Sequence, residues 1–225
     1  MDRWRGLVDA VGAAEGVLSF GEGELDRERL AEWLLAHQIR KGRQSGLFQP
    51  TAADFEDRRL VTGERLKTKL ATTHILSQEA ARILRVLRRG DPDIAAAVAL
   101  TATRLSETCY ALQHCTIGEC AASFVGYVRF VWGTSGEAAA PEITWRLRTL
   151  SEHRDGTGRW KSLPFYYTLL VLSEIPLPAA RDELVYAAPA WSSAARSGSL
   201  EEPYAERRRK LQERFRNRDS GTCLA

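Results

Sequence analysis

The chain has 225 residues, of which 44% are hydrophobic and 27% charged, with a formal charge of +3. That length and balance suit one globular domain whose core needs no metal or disulfide to hold it. So small a charge does not by itself imply a polyanionic partner, and no apolar run approaches the roughly 18 residues of a membrane span. The polar start Asp2-Arg3-Trp4-Arg5 lacks the apolar stretch of an export signal, so none is expected. Cys109, Cys115 and Cys120 fall in one short stretch and Cys223 stands near the end. This is not a disulfide framework, and a reducing cytoplasm is the expected compartment.

Trp4, Leu7, Val8 and Val11 share one helical face, which Gly21 and Gly23 interrupt. A second helix is predicted over 27–39, with Leu30, Trp33, Leu34 and His37 on one side, followed by a loop rich in Gly, Lys and Arg over 41–50. Thr51-x-x-Asp54 reads as a weak helix start and Gly63 as its stop. From Leu66 to Leu87 the apolar positions keep a period near 3.6, and Ser77, ahead of Gln78 and Glu79, is placed to begin a new helix within that run. Gly90 ends it. Asp91-Pro92 is a strong start, a capping side chain followed by proline at the first helical position. The helix it opens carries Ile94, Val98, Leu105, Cys109 and Leu112 as its buried stripe. Thr116-x-x-Glu119 predicts a capping box before an almost wholly apolar helix over 121–132. Pro141 opens a helix with Ile143, Trp145, Leu147 and Leu150, the loop 155–158 follows, and Phe165, Thr168, Leu169 and Leu172 mark the next. One more begins at Pro178, and Ser199-x-x-Glu202 precedes a polar terminal helix. The expectation is an all-α protein of about eight or nine helices, with a helical-repeat domain over 1–198 and a basic helix and tail over 199–225.

Two stretches align at one offset: Trp33, Leu35, Gly46 and Phe48 with Trp145, Leu147, Gly158 and Trp160. Each reads as a helix, a polar loop and Gly-x-aromatic, which suggests repeated helical hairpins. Trp33-Leu34-Leu35 leading to Gln44-Ser45-Gly46-Leu47-Phe48, and Asp155-Gly156-Thr157-Gly158-Arg159-Trp160 leading to Pro164-Phe165-Tyr166-Tyr167-Thr168, resemble the repeat unit of prenyltransferase and squalene-cyclase α/α-toroids. The resemblance implies concentric helical hairpins, possessing a central, often aromatic-lined cavity. The family's Asp-x-Asp-Asp and Asp-Asp-x-x-Asp motifs are absent and its Gln-x-x-x-Gly-x-Trp spacing is not met, so the family's chemistry need not accompany the architecture.

Cys109, His114, Cys115 and Cys120 are the candidate metal ligands, with zinc as the ion. Against this, Cys109 sits on the apolar stripe of a helix on which His114 would point about 140° away, so core packing is the expected role and no cofactor is expected. His37, His74, His114 and His153 lie far apart, and of these only His74 is a candidate for a pocket. Arg129 lies within an apolar helix and requires a carboxylate or an anionic ligand. Trp160, Phe165, Tyr166 and Tyr167 are candidates to line a ligand cavity. Arg207, Arg208, Arg209, Lys210 and Arg214 give the last helix a basic face open to an acidic protein or to nucleic-acid phosphates. No G-x-S-x-G elbow, Walker A loop, dinucleotide fingerprint or H-E-x-x-H occurs. The expected function is a non-catalytic helical scaffold that binds a protein partner. The alternatives are an enzyme or carrier with a cavity for an apolar, isoprenoid-like ligand, and a nucleic-acid-associated protein working through its terminal helix.

Overall fold

The computed structural model describes residues 3–113, 115–194 and 200–219. Among them are eleven α-helices and no strand: α1 Leu7–Phe20, α2 Arg27–Ala36, α3 Ala52–Asp57, α4 Lys69–Leu87, α5 Pro92–Ser106, α6 Cys109–Leu112, α7 Cys120–Ser135, α8 Ala140–Glu152, α9 Phe165–Glu174, α10 Pro178–Ala194 and α11 Tyr204–Asp219. Nine of them are ten residues or longer, in line with the all-α expectation. None is long and apolar enough to cross a membrane.

Four of the starts follow local capping chemistry, at Asp26, Thr51, Thr68 and Asp91. The Asp91 carboxylate accepts from the amides of Asp93 and Ile94, and Thr51 and Asp54 form a complete capping box. Asp54 does more than its spacing suggested, since its carboxylate also accepts from Leu7 N and Val8 N at 3.0 and 2.7 Å and so caps α1. Glu64 does the same for α9 through Tyr166 N and Tyr167 N.

Three local expectations are corrected. Ser77 starts no helix: α4 passes through it, and its hydroxyl bonds back to Thr73 O while accepting from Phe48 N. Thr116 and Glu119 form no capping box, because Thr116 Oγ1 bonds His153 Nε2 and the Glu119 carboxylate is taken by Thr68. The helix opened by Asp91 stops at Ser106 and does not reach Leu112. Thr108 is extended, so α6 sets off in a new direction and leaves Cys109 and Leu112 exposed. The proposed start at Ser199 lies outside the described residues.

Three of the connections, after α2, α3 and α8, share one recurring loop. A residue at a helix C-cap offers its carbonyl to an amide beyond a tight reversal: Gln49 N to His37 O, Leu66 N to Arg58 O, and Lys161 N to His153 O, each 2.8 Å. A left-handed glycine precedes the returning segment in each, Gly46, Gly63 and Gly158, with φ of +93°, +87° and +85°. Each glycine backs onto another helix: Gly46 onto α5, Gly63 onto α11 and Gly158 onto α10. The middle copy, which leads into α4, escapes the sequence alignment because the helix before it, α3, has only six residues.

The structure also shifts the register of the aligned pair. With His37 and His153 matched as C-caps, the second loop is four residues shorter, about one helical turn. Trp145 therefore sits one turn earlier than Trp33, and it is largely exposed whereas Trp33 packs against the core.

Gly46 is where the loop is least replaceable. A Cβ there would stand 2.4 Å from the Leu100 carbonyl oxygen. Gly42, at φ +81°, meets nothing within 4 Å. Gly46→Ala should therefore lower the unfolding free energy by more than about 2 kcal/mol, and Gly42→Ala by only about 1 kcal/mol. Urea denaturation of the two variants measures the difference.

Candidate functional site

Four helices send charge to one point. Arg129 of α7 is fully buried, and its guanidinium reaches three carboxylates. Nη1 donates to both oxygens of Glu79 (α4) at 2.9 Å, and Nη2 to Glu15 (α1) at 2.6 Å. Glu174 (α9) receives Nε at 2.8 Å and Nη2 at 2.6 Å. Arg82 of α4 binds Glu15 and, through Nε at 3.0 Å, Glu79. The hydroxyls of Tyr167 and Ser19 donate to Glu79 and Glu15.

Burial works against each of these charges, and the partners decide the balance. For Arg129 the carboxylates of Glu174 and Glu79 outweigh burial and raise its pKa well above the usual value. Burial would push Glu174 up, but Arg129, then Arg82 and Arg214, hold it below the ordinary carboxylate value. Arg82 is pulled down to about 9 by burial and by the adjacent Arg129, and it stays charged at neutral pH. Three carboxylates face two guanidiniums here, and the field of Arg214 from α11 supplies the third positive charge. Arg129 thus takes carboxylates of its own chain where an external anion was the alternative.

The remaining candidates are dispersed. A cavity lined by Val8, Val11, Leu60, Ile75, Glu79 and Tyr167 has a volume of about 20 Å³, room for a single water. Of the four aromatic candidates only Tyr167 borders it. Trp160 donates from Nε1 to Glu183 at 2.7 Å and packs with Phe165 toward α10, while Tyr166 lies beneath the guanidinium of Arg208. His74 meets the Tyr110 hydroxyl through Nδ1 at 3.2 Å, and burial, then Arg104, hold it down to about 4, so it is neutral. His37 and His153 are C-caps, and His114 lies outside the described residues.

The basic face of α11 is turned inward in large part. Arg207 binds Glu22 and the carbonyls of Gly12 and Val61, Arg208 binds Thr62 O, and Lys210 binds Phe20 O. Arg209 pairs with Glu206 and Glu213 on its own helix, and Arg214 lies over the Phe20 ring.

Cys109, Cys115 and Cys120 come together, their Sγ atoms all within 4.8 Å of one another. Burial first, then the neighbouring thiols, pushes Cys120 up to about 12. The convergence depends on the break after Ser106, which a continuous helix would have forbidden.

No family model, no curated protein and no solved structure matches the chain, so its chemistry must be read from these residues. Sequence reasoning found Arg129 but not Glu15, Glu79, Arg82 or Glu174. The available signal was a charged side chain at an apolar-face position, as at Glu79 and Arg82 on α4.

Arg129→Met should cost about 3–5 kcal/mol of stability, because it strands buried carboxylates. Chemical denaturation at neutral pH measures the loss. His74, with a folded value near 4 against 6.5, binds fewer protons folded than unfolded between those pH values. Its contribution is therefore lost as pH falls from 6.5 to 4, and that of Glu174 below 4.5. His74→Gln should flatten the upper part of the acid limb in urea midpoints measured against pH and leave the part below 4.5 in place.

Proposed function

We propose that this chain is a non-catalytic helical scaffold, α/α-toroid-like in plan, that works through its surface on a protein partner in the cytoplasm. One observation carries the reading: the axis on which α1, α4, α7 and α9 converge is closed by the chain's own ion pairs. The helices that reach this axis alternate along the chain with α2, α5, α8 and α10, which supports a toroid-like plan. A carrier of an apolar ligand needs a larger space than the one-water cavity beside Tyr167, and the larger clefts of about 310 and 350 Å³ beside Arg5, Asp9 and Asp57 are open and rich in charge. A phosphate-binding helix needs free cations, and α11 commits Arg207, Arg208 and Lys210 to neighbouring elements.

The surface retains apolar side chains for a partner. Leu112, Ile117 and Trp145 are 65%, 80% and 54% exposed. They lie on neighbouring elements that Arg146 of α8 ties together through the carbonyls of Tyr110 and Ala111. Exposed apolar side chains brought together in one region are a feature of partner surfaces.

Native mass spectrometry of gently purified protein should show the chain with no organic adduct. A retained organic molecule would overturn the scaffold reading. A protein captured from the source cells at moderate salt should be lost with Leu112→Ser/Ile117→Ser. Capture of nucleic acid alone, released steeply by salt, would favour the terminal helix as the working surface.

A further inference from the structure

Core packing does not explain why three sulfurs meet. Cys109 is exposed and Cys115 and Cys120 are only half-buried, so the cluster lies at the surface and not on the apolar stripe expected of Cys109. Cys109 begins α6, Cys120 begins α7, and Cys115 lies in the loop between them. The Sγ atoms of Cys109 and Cys120 are 3.4 Å apart, and no pair of the three exceeds 4.8 Å. An ion with metal–sulfur bonds of about 2.3 Å requires tetrahedral sulfurs roughly 3.8 Å apart. The observed spacings bracket that figure, so binding needs side-chain adjustment and no rearrangement of the helices.

The loop itself has little else to hold it. Leu112 and Ile117 point to solvent, and among the described residues the side-chain contacts of Thr116 with His153 at 2.5 Å and of Glu119 with Thr68 link the segment to the rest of the fold.

We propose that Cys109, Cys115 and Cys120 form a zinc site that staples the start of α6 to the start of α7, with a coordination position left open on the solvent side of Cys109. Three thiols each give up a proton and bind one Zn²⁺ as thiolates, releasing three protons to solvent. The site is independent of the scaffold reading, which requires no metal.

Protein produced with added zinc and purified without chelator should carry one zinc per chain by elemental analysis. Cys223→Ser should retain it. Cys109→Ser, Cys115→Ser and Cys120→Ser should each bind more than about 100-fold more weakly, since loss of supporting residues around a metal ligand already costs 10–100-fold. Cobalt(II) added to the metal-free wild type should give a thiolate-to-cobalt charge-transfer band, a readout that does not depend on the variants folding. The proposal fails if the wild type, with its thiols reduced, shows neither stoichiometric zinc nor that band. It also fails if folded serine variants bind zinc as tightly as the wild type.

Discussion

The architecture depends on the cost of burying Arg129. An ion taken out of water loses several kcal/mol of solvation, and only a full set of partners returns it. Glu15, Glu79 and Glu174 come from three different helices, so the charge of Arg129 is satisfied only when α1, α4, α7 and α9 are all in place. An apolar core of the same volume could tolerate a rotated or shifted helix. This one cannot, because a one-residue slip of any contributor leaves a charge unpaired in a low-dielectric interior. The network therefore specifies one arrangement more sharply than it adds to stability.

The same balance explains the basic C-terminal helix. Read alone, the run Arg207-Arg208-Arg209-Lys210 suggests a polyanion partner. In place, α11 packs against both α1 and α9, which carry Glu15 and Glu174. Arg207 fastens it to Glu22 and to the loop at Val61, and Arg214 lends its field to Glu174. Leu211 and Phe215 are its buried apolar residues, a stripe too thin to fix a helix by hydrophobic burial alone, and the cations make up the difference.

What the sequence revealed was local, and what it concealed was long-range. The Asp91 cap, the Thr51 box and the apolar runs announce themselves within a few residues, because capping and amphipathicity are short-range physics. Thr116-x-x-Glu119 has the right spacing for a capping box, yet both side chains found better partners 37 and 51 residues away. The partners of Arg129 stand 45, 50 and 114 residues from it, beyond the reach of any motif. The repeat was visible through its glycines, but a loop one helical turn shorter put tryptophans in false register. A whole-turn slip preserves the helical face, so periodicity could not expose the error. The cysteines stood out in the sequence, but the convergence of Cys109 with the other two turned on a break at Glu107-Thr108, where Ser106 and Thr108 are weak helix formers, too mild a signal to outweigh the apolar stripe.

The three thiols and the buried ion pairs are also joined through α4. His74, Gln78 and Arg82 are spaced by four residues and so share one face of that helix. His74 meets Tyr110, the residue after Cys109; Gln78 donates to Ser123 O of α7; Arg82 enters the central network. A polar ladder thus crosses an otherwise apolar interior, and each rung ties α4 to α1, α6 or α7. Tyr110 stands against His74, whose ring is kept neutral by burial first and then by Arg104. The outer loop and the central charges therefore bear on the same helix, α4.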